Sequence, residues 1–361
     1  MKLVDVLASP IVLDKLTLSE LSSILSEARY HNMVSQLYYL SKSYNIYNSL
    51  PEKFQQHLYS SFLIYDNQRK KFQSEVNSIE ETLTPLGIEL IYLKGGAYHL
   101  QDITMLKGRL MSDLDILVRE DALIKAEQQL KRNGWVSVEV SDYDDNFYRN
   151  WSHEIPPLKN FLSQVELDLH FNILPKTIKE SPGSNILFKQ SVPIEKNPMI
   201  RTLTPAAMIV HSSIHLFHES EFYKGTRDLY DLVLLIQSFE HEEDFWGAII
   251  RLQQEIGNGV SVYYALRYCN KIYKLETPDY VKDFYDNFKP DPLTLLILDY
   301  CFTQVFTNHY PIHRGFFHKV CELILYSRGH LKRMPLKLLV PHFIKKTTLF
   351  FKGKQESKGM I

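Results

Sequence analysis

Two aspartates in a short alternating segment are well suited to bind metal ions. Asp113 and Asp115 stand two positions apart in DLDILV (113–118), and the other residues of the segment are apolar. In a β-strand, side chains at i and i+2 point the same way, so these two lie about 7 Å apart at the backbone. Carboxylates at that distance can share a pair of divalent cations roughly 3.5–4 Å apart. A solvated strand face is the alternative interpretation of the pair taken alone.

A second amphipathic segment repeats this arrangement. In VELDLHFNI (165–173), Glu166, Asp168 and His170 alternate with apolar residues and so share one face of a predicted strand. Like charges held together are costly unless a cation compensates them. Acids that reach a common polar face from two strands therefore favour a metal site. An amphipathic strand in a half-buried sheet would show the same alternation.

A glycine pair follows the first predicted strand. The apolar run IELIYL (88–93) continues into LKGGAYHL, where Gly95 and Gly96 permit close backbone approach at the start of a helix. Backbone amides at such a junction point toward an anion. Lys94 and Arg109 would add positive charge for phosphate groups. A plain strand-to-helix connection is the alternative for the glycine pair by itself.

Three histidines lie on one face of a predicted helix in the second half of the chain. His211, His215 and His218 fall at i, i+4 and i+7. Zinc would suit that spacing, but no cysteine or HExxH motif accompanies it. Histidines that are buried, or that face a substrate from a helix packed over the core, are the simpler interpretation. His153 and His170 are equally open to a structural or a site role.

These motifs together resemble the nucleotidyltransferase superfamily typified by DNA polymerase beta. More narrowly, the chain resembles a bacterial family of uncharacterised nucleotidyltransferases over residues 85–240. The matching positions are Leu93, Lys94, Gly95, Arg109, Asp113, Asp115, His153, Asp168 and His170, with a looser match at His211, His215, Arg227 and Asp231. The stretch from Gly95 to Asp113 is longer than in the superfamily pattern. The nucleotidyltransferase toxins of abortive-infection systems share the Lys-Gly-Gly, Arg and Ser-x-Asp-x-Asp string.

The resemblance implies transfer of a nucleoside monophosphate from a nucleoside triphosphate to an acceptor hydroxyl, with release of pyrophosphate. Asp113 and Asp115 would hold two Mg²⁺ ions, for which Mn²⁺ could substitute, and Asp168 would complete the second site and help to deprotonate the acceptor. The residues implied in nucleotide or phosphate binding are Lys94, Gly95, Gly96, Arg109 and Ser112, and those implied in substrate contacts are His153, Glu166, His170, His211 and His215. The sequence does not identify the acceptor, which could be a small molecule, a sugar, a peptide or a protein.

Two alternative functions stay open at this stage. The first is the same chemistry on RNA, in the manner of a toxin, and the overall neutrality of the chain counts mildly against it. The second is a nucleotide-binding or interaction module without turnover. The three aspartates, Lys94 and Arg109 are all present, so the motif shows no sign of decay.

The elements around these motifs predict a mixed α+β fold. Helical spacing dominates before residue 85 and after residue 200, and the strand-like segments lie between. We predict an N-terminal helical region (1–84), a small polymerase-beta-like α/β core with a mixed sheet (85–200) and a C-terminal helical domain (201–361). The acid-rich segment EVSDYDDN (139–146) is expected to be a solvated loop.

The composition is that of a soluble globular protein. Hydrophobic residues make up 45% and charged residues 23%, with a net charge of -1, which excludes intrinsic disorder and a global electrostatic attraction to nucleic acid. Three cysteines without CxxC spacing fit a reducing compartment. No apolar window of ~18 residues and no signal peptide stand out, so we expect a cytoplasmic protein without a transmembrane segment. The basic tail (331–361) is expected to fray, with contact to anionic lipid or RNA as the alternative.

Overall fold

A computed structural model describes residues 1–178, 183–337 and 339–341. Helices surround one seven-stranded sheet with both parallel and antiparallel pairs, so the predicted mixed α+β fold is confirmed. Most of the basic tail, residues 342–361, lies outside the described residues. Within the described part of the chain, no helix is both long enough and apolar enough to cross a membrane.

The sheet joins strands that are far apart in the chain. The strands are β1 (Leu90–Tyr92), β2 (Leu114–Val118), β3 (Trp135–Ser137), β4 (Leu158–Asn160), β5 (Glu166–His170), β6 (Ser191–Ile194) and β7 (Asn197–Leu203). Their order across the sheet is β3-β4-β5-β2-β1-β7-β6. The β2–β5 and β1–β7 pairs are parallel, and the other neighbours are antiparallel. The sequence did not indicate β4, β6 or β7, and β7 ends three residues past the predicted core.

Four helices precede the sheet. They are α1 (Leu3–Ala8), α2 (Leu18–Tyr30), α3 (Val34–Ser43) and α4 (Glu52–Leu83). A capping box at Thr17 and Glu20 starts α2, since each side chain bonds the backbone N–H of the other. The long α4 begins after Pro51, which the first turn of a helix tolerates.

One face of the sheet is covered by α4 and by a helix that lies between β2 and β3 in the chain. The short helices of the middle region are α5 (Lys94–Leu100), α6 (Leu123–Arg132), α7 (Asp142–Trp151) and α8 (Ser184–Lys189). Phe72 and Ile79 of α4 pack with Leu114 and Ile116 of β2 in one buried cluster. Because side chains alternate along a strand, Asp115 points to the opposite face of the sheet.

The predicted loop over 139–146 is wrong, because a helix, α7, begins within this segment. Ser141 caps α7, and three aspartates in its first turn suit the positive end of the helix.

The chain after the sheet is helical to the end of the described residues. The helices are α9 (Pro205–His218), α10 (Gly225–Phe239), α11 (Phe245–Ile256), α12 (Val260–Tyr273), α13 (Asp279–Asp286), α14 (Pro292–Thr307) and α15 (Phe316–Arg333). Helix α9 is buried nearly all round and packs against α10, α11 and α12. Thr204 accepts a hydrogen bond from the backbone N–H of Ala207 and so caps its start. This helical layer covers the sheet face that carries Asp115.

Gly108 locks the loop before Arg109 against α3. Its φ is +89°, its carbonyl accepts a 2.5 Å hydrogen bond from Ser35 Oγ, and an added Cβ would lie 2.5 Å from the Ser35 carbonyl oxygen.

We expect Gly108→Ala to lower the free energy of unfolding by about 2–4 kcal/mol, since the strained φ and the clash both destabilise the folded state. Gly134→Ala is the matched control, because Gly134 has the same φ of +89° with no atom within 4 Å of the added Cβ. Urea unfolding of both variants measures the difference, and equal losses would contradict the role of the clash.

Candidate active site

Two adjacent parallel strands bring two of the predicted acids side by side. In the register of β2 with β5, Asp115 is the partner of Asp168, and neighbouring strands lie about 4.8 Å apart. Asp113 stands one residue before β2 and is about one-third exposed. The three acids that the sequence singled out therefore converge on one region of the sheet.

Lys94 and His170 contact the carboxylate of Asp115. Lys94 Nζ donates to Asp115 Oδ1 at 2.7 Å, and His170 Nε2 lies 3.1 Å from the same oxygen. Burial alone would raise the pKa of Asp115, but Lys94 and His170 outweigh it and hold this pKa well below its usual range. Lys94 is placed by a φ of +44° at the first position of α5 and by the bond from Leu93 N to the Asp115 carbonyl. Asp115 is thus ionised, and its Oδ2 makes no hydrogen bond or ion pair to the described residues.

Asp168 differs from Asp115, its partner on β2, in its contacts and in the direction of its pKa shift. Its carboxylate makes no hydrogen bond or ion pair with any residue that the structure describes. Burial, followed by the nearby charges of Glu154 and Asp115, raises the pKa of Asp168 to about 8. Acids that repel one another in a buried place are stabilised by a bound cation.

Glu154 belongs to this cluster, although the sequence did not reveal it. An isolated antiparallel bridge pairs Glu154 with His170, and Glu154 Oε2 lies 3.3 Å from His170 Nδ1. His153 Nε2 lies 3.9 Å from the same oxygen. The segment WSHEIPPL has no strand periodicity, so only its position after a predicted site histidine could have drawn attention to Glu154.

Positive side chains line a cleft above the acids. Lys224 Nζ lies 3.5 Å from Asp113 Oδ2, and Arg227 contacts Asp228 at 3.4 Å. The guanidinium of Arg109 pairs with the buried carboxylate of Asp231. The residues lining the cleft are Lys94, Gly95, Tyr98, Arg109, Asp113, Asp115, Ser212, His215, Lys224, Arg227, Asp228 and Asp231. No motif surrounds Lys224, which directly precedes α10, so the sequence analysis did not single it out.

The glycine pair is explained by packing at both positions. A Cβ on Gly95 would lie 2.8 Å from Met111 Cγ and closer still to the guanidinium of Arg109. A Cβ on Gly96 would lie 3.1 Å from Tyr92 Cδ1. Gly95 therefore admits Arg109 to the cleft, and Gly96 lets α5 sit on the sheet. Phosphate binding by these two glycines stays a prediction.

Other predicted residues lie at the margin of the site or beyond it. Ser112 is exposed just before β2. Glu166 is exposed at the start of β5 and pairs with Lys159 of β4 at 3.9 Å. His218 contacts the Ile214 carbonyl and Ser261. Among the described residues, His211, His215 and His218 do not form a group of metal ligands.

His211 and His215 lie on α9 above the acids. His215 lines the cleft, and its Nε2 is 3.4 Å from Glu219 Oε1. His211 is buried, and burial followed by the charge of Lys94 lowers its pKa to about 3. Both imidazoles are neutral at pH 7, because the pKa of His215 is lowered by the same two causes.

The low pKa of His211 predicts a specific loss of stability in acid. A histidine with a pKa of 6.5 when unfolded and about 3 when folded destabilises the fold as pH falls below 6.5. We expect this group to account for about 2 kcal/mol of the fall in unfolding free energy between pH 7 and pH 5. His211→Gln should reduce that fall by the same amount in urea unfolding. His241→Gln, an exposed position, should leave it unchanged, and an unaltered fall in His211→Gln would contradict the assignment.

The chain matches a known protein family. The family model described as uncharacterised nucleotidyltransferase matches residues 19–274. No curated protein and no solved structure matches the chain. The matched region contains every residue of the cleft and ends at the close of α12, so α13, α14 and α15 lie outside it.

Proposed function

The chain belongs to the uncharacterised nucleotidyltransferase family, and from that membership we propose that it transfers a nucleoside monophosphate from a nucleoside triphosphate to an acceptor hydroxyl, with release of pyrophosphate and dependence on Mg²⁺. The family supports nucleotidyl transfer in general. The finer statement rests on the pairing of Asp115 with Asp168 in adjacent parallel strands, below a cleft lined by Lys94, Lys224 and Arg227.

The acids fit a hard divalent cation. Asp113, Asp115 and Asp168 offer only carboxylate oxygens, which Mg²⁺ prefers. The raised pKa of Asp168, caused by burial and by nearby carboxylates, is the observation that favours a cation here. Bound Mg²⁺ would neutralise charge on the attacking and leaving oxygens of the transfer. Mn²⁺ has the same ligand preference and is the expected substitute.

The cations of the cleft suit a triphosphate. Lys224 is about one-third exposed and pairs with a partly exposed Asp113 at 3.5 Å, so a phosphate oxygen can replace that carboxylate at little cost. Arg227 is nearly buried and fixed in position, since its Nη1 donates to the Leu110 carbonyl at 3.5 Å. Lys94 stays bonded to Asp115 and brings a fixed positive charge to the floor of the cleft.

Asp168 is suited to accept the proton of the acceptor hydroxyl. Burial and the neighbouring acids raise the pKa of Asp168 to about 8 in the absence of a metal, and bound Mg²⁺ would lower this pKa, so that the carboxylate would be ionised and able to accept a proton. Its carboxylate makes no hydrogen bond to the described residues, so it is free to receive one from a substrate.

The test is a transfer assay on the purified full chain. The protein is incubated with each α-labelled nucleoside triphosphate and Mg²⁺, together with fractions of a cell lysate that separate small molecules, proteins and RNA. We expect label in one fraction, and the Asp113→Ala/Asp115→Ala variant should transfer none. Label in RNA would assign the acceptor to the alternative class. No label with any nucleotide, together with no Mg²⁺-dependent nucleotide binding, would overturn the proposal.

A further inference from the structure

We propose that His153, Glu154 and His170 form a second metal site, selective for a borderline transition ion of the Zn²⁺ or Co²⁺ class. The three ligand atoms lie within 4.8 Å of one another. The site is distinct from the three aspartates, and it does not depend on the proposed transfer reaction.

The backbone fixes these three side chains before any ion binds. Ile155 N donates to the Leu169 carbonyl at 3.1 Å, and Phe171 N donates to the His153 carbonyl at 2.9 Å. With the bridge between Glu154 and His170, these bonds attach the 153–155 segment to β5. Ligands held on a rigid backbone lose little conformational entropy on binding.

The spacing of the donor atoms is close to that of a bound ion. Metal bonds of 2.0–2.1 Å at tetrahedral angles put neighbouring donors about 3.4 Å apart. Glu154 Oε2 lies 3.3 Å from His170 Nδ1 and 3.9 Å from His153 Nε2. A shift of about half an ångström at His153 would bring its Nε2 to that distance from Glu154 Oε2.

Nδ1 of each histidine is buried without a hydrogen bond among the described residues, and in His153 it is the other nitrogen, Nε2, that lies 3.9 Å from Glu154 Oε2. His170 is 4% exposed, and its Nδ1 faces Glu154 without making a hydrogen bond among the described residues. The other nitrogen, Nε2, lies 3.1 Å from Asp115 Oδ1. A ligating histidine ordinarily donates its second N–H to a carboxylate, which fixes the ring and strengthens the metal bond. The His170–Asp115 contact has that form.

The ligand atoms of this site differ from those of the three aspartates, so the two sites are expected to prefer different metal ions. Two imidazole nitrogens and one carboxylate oxygen suit Zn²⁺ and Co²⁺, and such a set leaves an open coordination position. Three carboxylates suit Mg²⁺. Because Asp115 contacts His170, an ion at the histidine site would lie one side chain away from the acid site.

A comparable cluster near the end of the described chain is less suited to an ion. His309, His318 and Glu322 also lie within reach of one another. The guanidinium of Arg314, however, lies 3.0 Å from His309 Nε2 and 3.9 Å from Glu322 Oε1. A fixed positive charge against two of the three ligands opposes a cation there.

Titration with Co²⁺ tests the site without any assay of transfer. The metal-free full chain, freed of ions with a chelator, is titrated with Co²⁺ and followed by visible absorption, and Zn²⁺ is then added to displace it. We expect one equivalent to bind with the spectrum of nitrogen and oxygen ligation. Glu154→Gln should weaken binding by about 10–100-fold. His153→Gln repeats the test if Glu154→Gln does not fold.

Two control variants test whether the ion binds at His153, Glu154 and His170 and not elsewhere. Asp113→Asn alters the acid site and Glu322→Gln alters the distal cluster, and both should bind Co²⁺ as the wild type does. Loss of binding in either control, or unchanged binding in Glu154→Gln and His153→Gln, would overturn the proposal. A wild type that binds Co²⁺ at this site but transfers no nucleotide would support it and contradict the proposed function.

Discussion

Asp168→Asn is expected to lose at least about 10³-fold in nucleotidyl transfer and yet to be more stable than the wild type above pH 8. The substitution keeps the shape of the side chain and removes its charge and its ability to take a proton. A loss of 10³ corresponds to about 4 kcal/mol of transition-state stabilisation, which is the size expected when a ligand and a proton acceptor are removed together.

The gain in stability follows from the direction of the pKa shift. The pKa of Asp168 is about 8 when folded, because of burial and the neighbouring acids, against 3.8 when unfolded. The folded state therefore holds this proton more tightly, and the stability it contributes below pH 4 is lost as pH rises toward 8. An uncharged asparagine does not incur that loss. The wild type and Asp168→Asn should thus diverge in unfolding free energy as pH increases.

Two measurements on the same protein samples check this prediction. Pyrophosphate release with Mg²⁺ and the nucleotide found active in the wild type gives the rate, and urea unfolding at pH 5 and pH 9 in chelator gives the stability. Asp279→Asn, at an exposed position in the first turn of α13, is the control: it should leave the rate unchanged and lower the unfolding free energy by at most about 1 kcal/mol at either pH. An Asp168→Asn variant that transfers normally, or that is less stable than the wild type at pH 9, would contradict the argument.

Breaking the buried pair of Arg109 and Asp231 is expected to be the most destabilising single change near the cleft. Both side chains are at least nine-tenths buried. Burial opposes the charge of Arg109, but the Asp231 carboxylate outweighs it and raises the pKa of Arg109. Arg109→Ala leaves the Asp231 carboxylate buried without its partner, and we expect about 3–5 kcal/mol of lost unfolding free energy in urea.

A double variant and a variant of an exposed ion pair distinguish the cost of an unpaired buried charge from the cost of lost packing. Arg109→Met/Asp231→Leu removes both charges and keeps most of the volume, so it should recover most of the lost stability. Arg251→Ala removes one partner of an exposed ion pair with Asp244 and should leave the urea midpoint unchanged. If the double variant were as unstable as Arg109→Ala, the cost would come from packing and not from an unpaired charge.

The parts of the site that lie on regular strands could be predicted from the sequence. Alternation along a strand assigns Asp115 and His170 to one face, because side-chain direction repeats every two residues. The family match supports the resemblance on which the interpretation of Lys94 and Arg109 rested. The predicted roles of individual residues await the experiments above.

The parts of the site that could not be predicted from the sequence depend on contacts between segments that are far apart in the chain. Glu154 reaches His170 through a single bridge, and no local pattern encodes such a pairing. Lys224 meets Asp113 only because α10 packs over the sheet. Phosphate binding by the glycine pair stays a prediction, and the contacts that a Cβ would make with Arg109 at Gly95 and with Tyr92 at Gly96 add a packing reason for small residues that only the fold reveals.

The order of the strands also decides when the site can form as the chain folds. Neighbours β1 and β2 are close in sequence, but His170 contacts Asp115 across 55 residues and Arg109 contacts Asp231 across 122. Closing loops of that length costs conformational entropy before the contacts can stabilise the structure, so such pairings form late in folding. During synthesis, the acids emerge long before α10 can bring Lys224 and Asp231 to them. A nascent chain that ends before residue 224 would carry the paired aspartates of the sheet with Lys94 and Arg109 but without Lys224 and Arg227, so the positive side of the cleft is completed only after the strands of the sheet have been made.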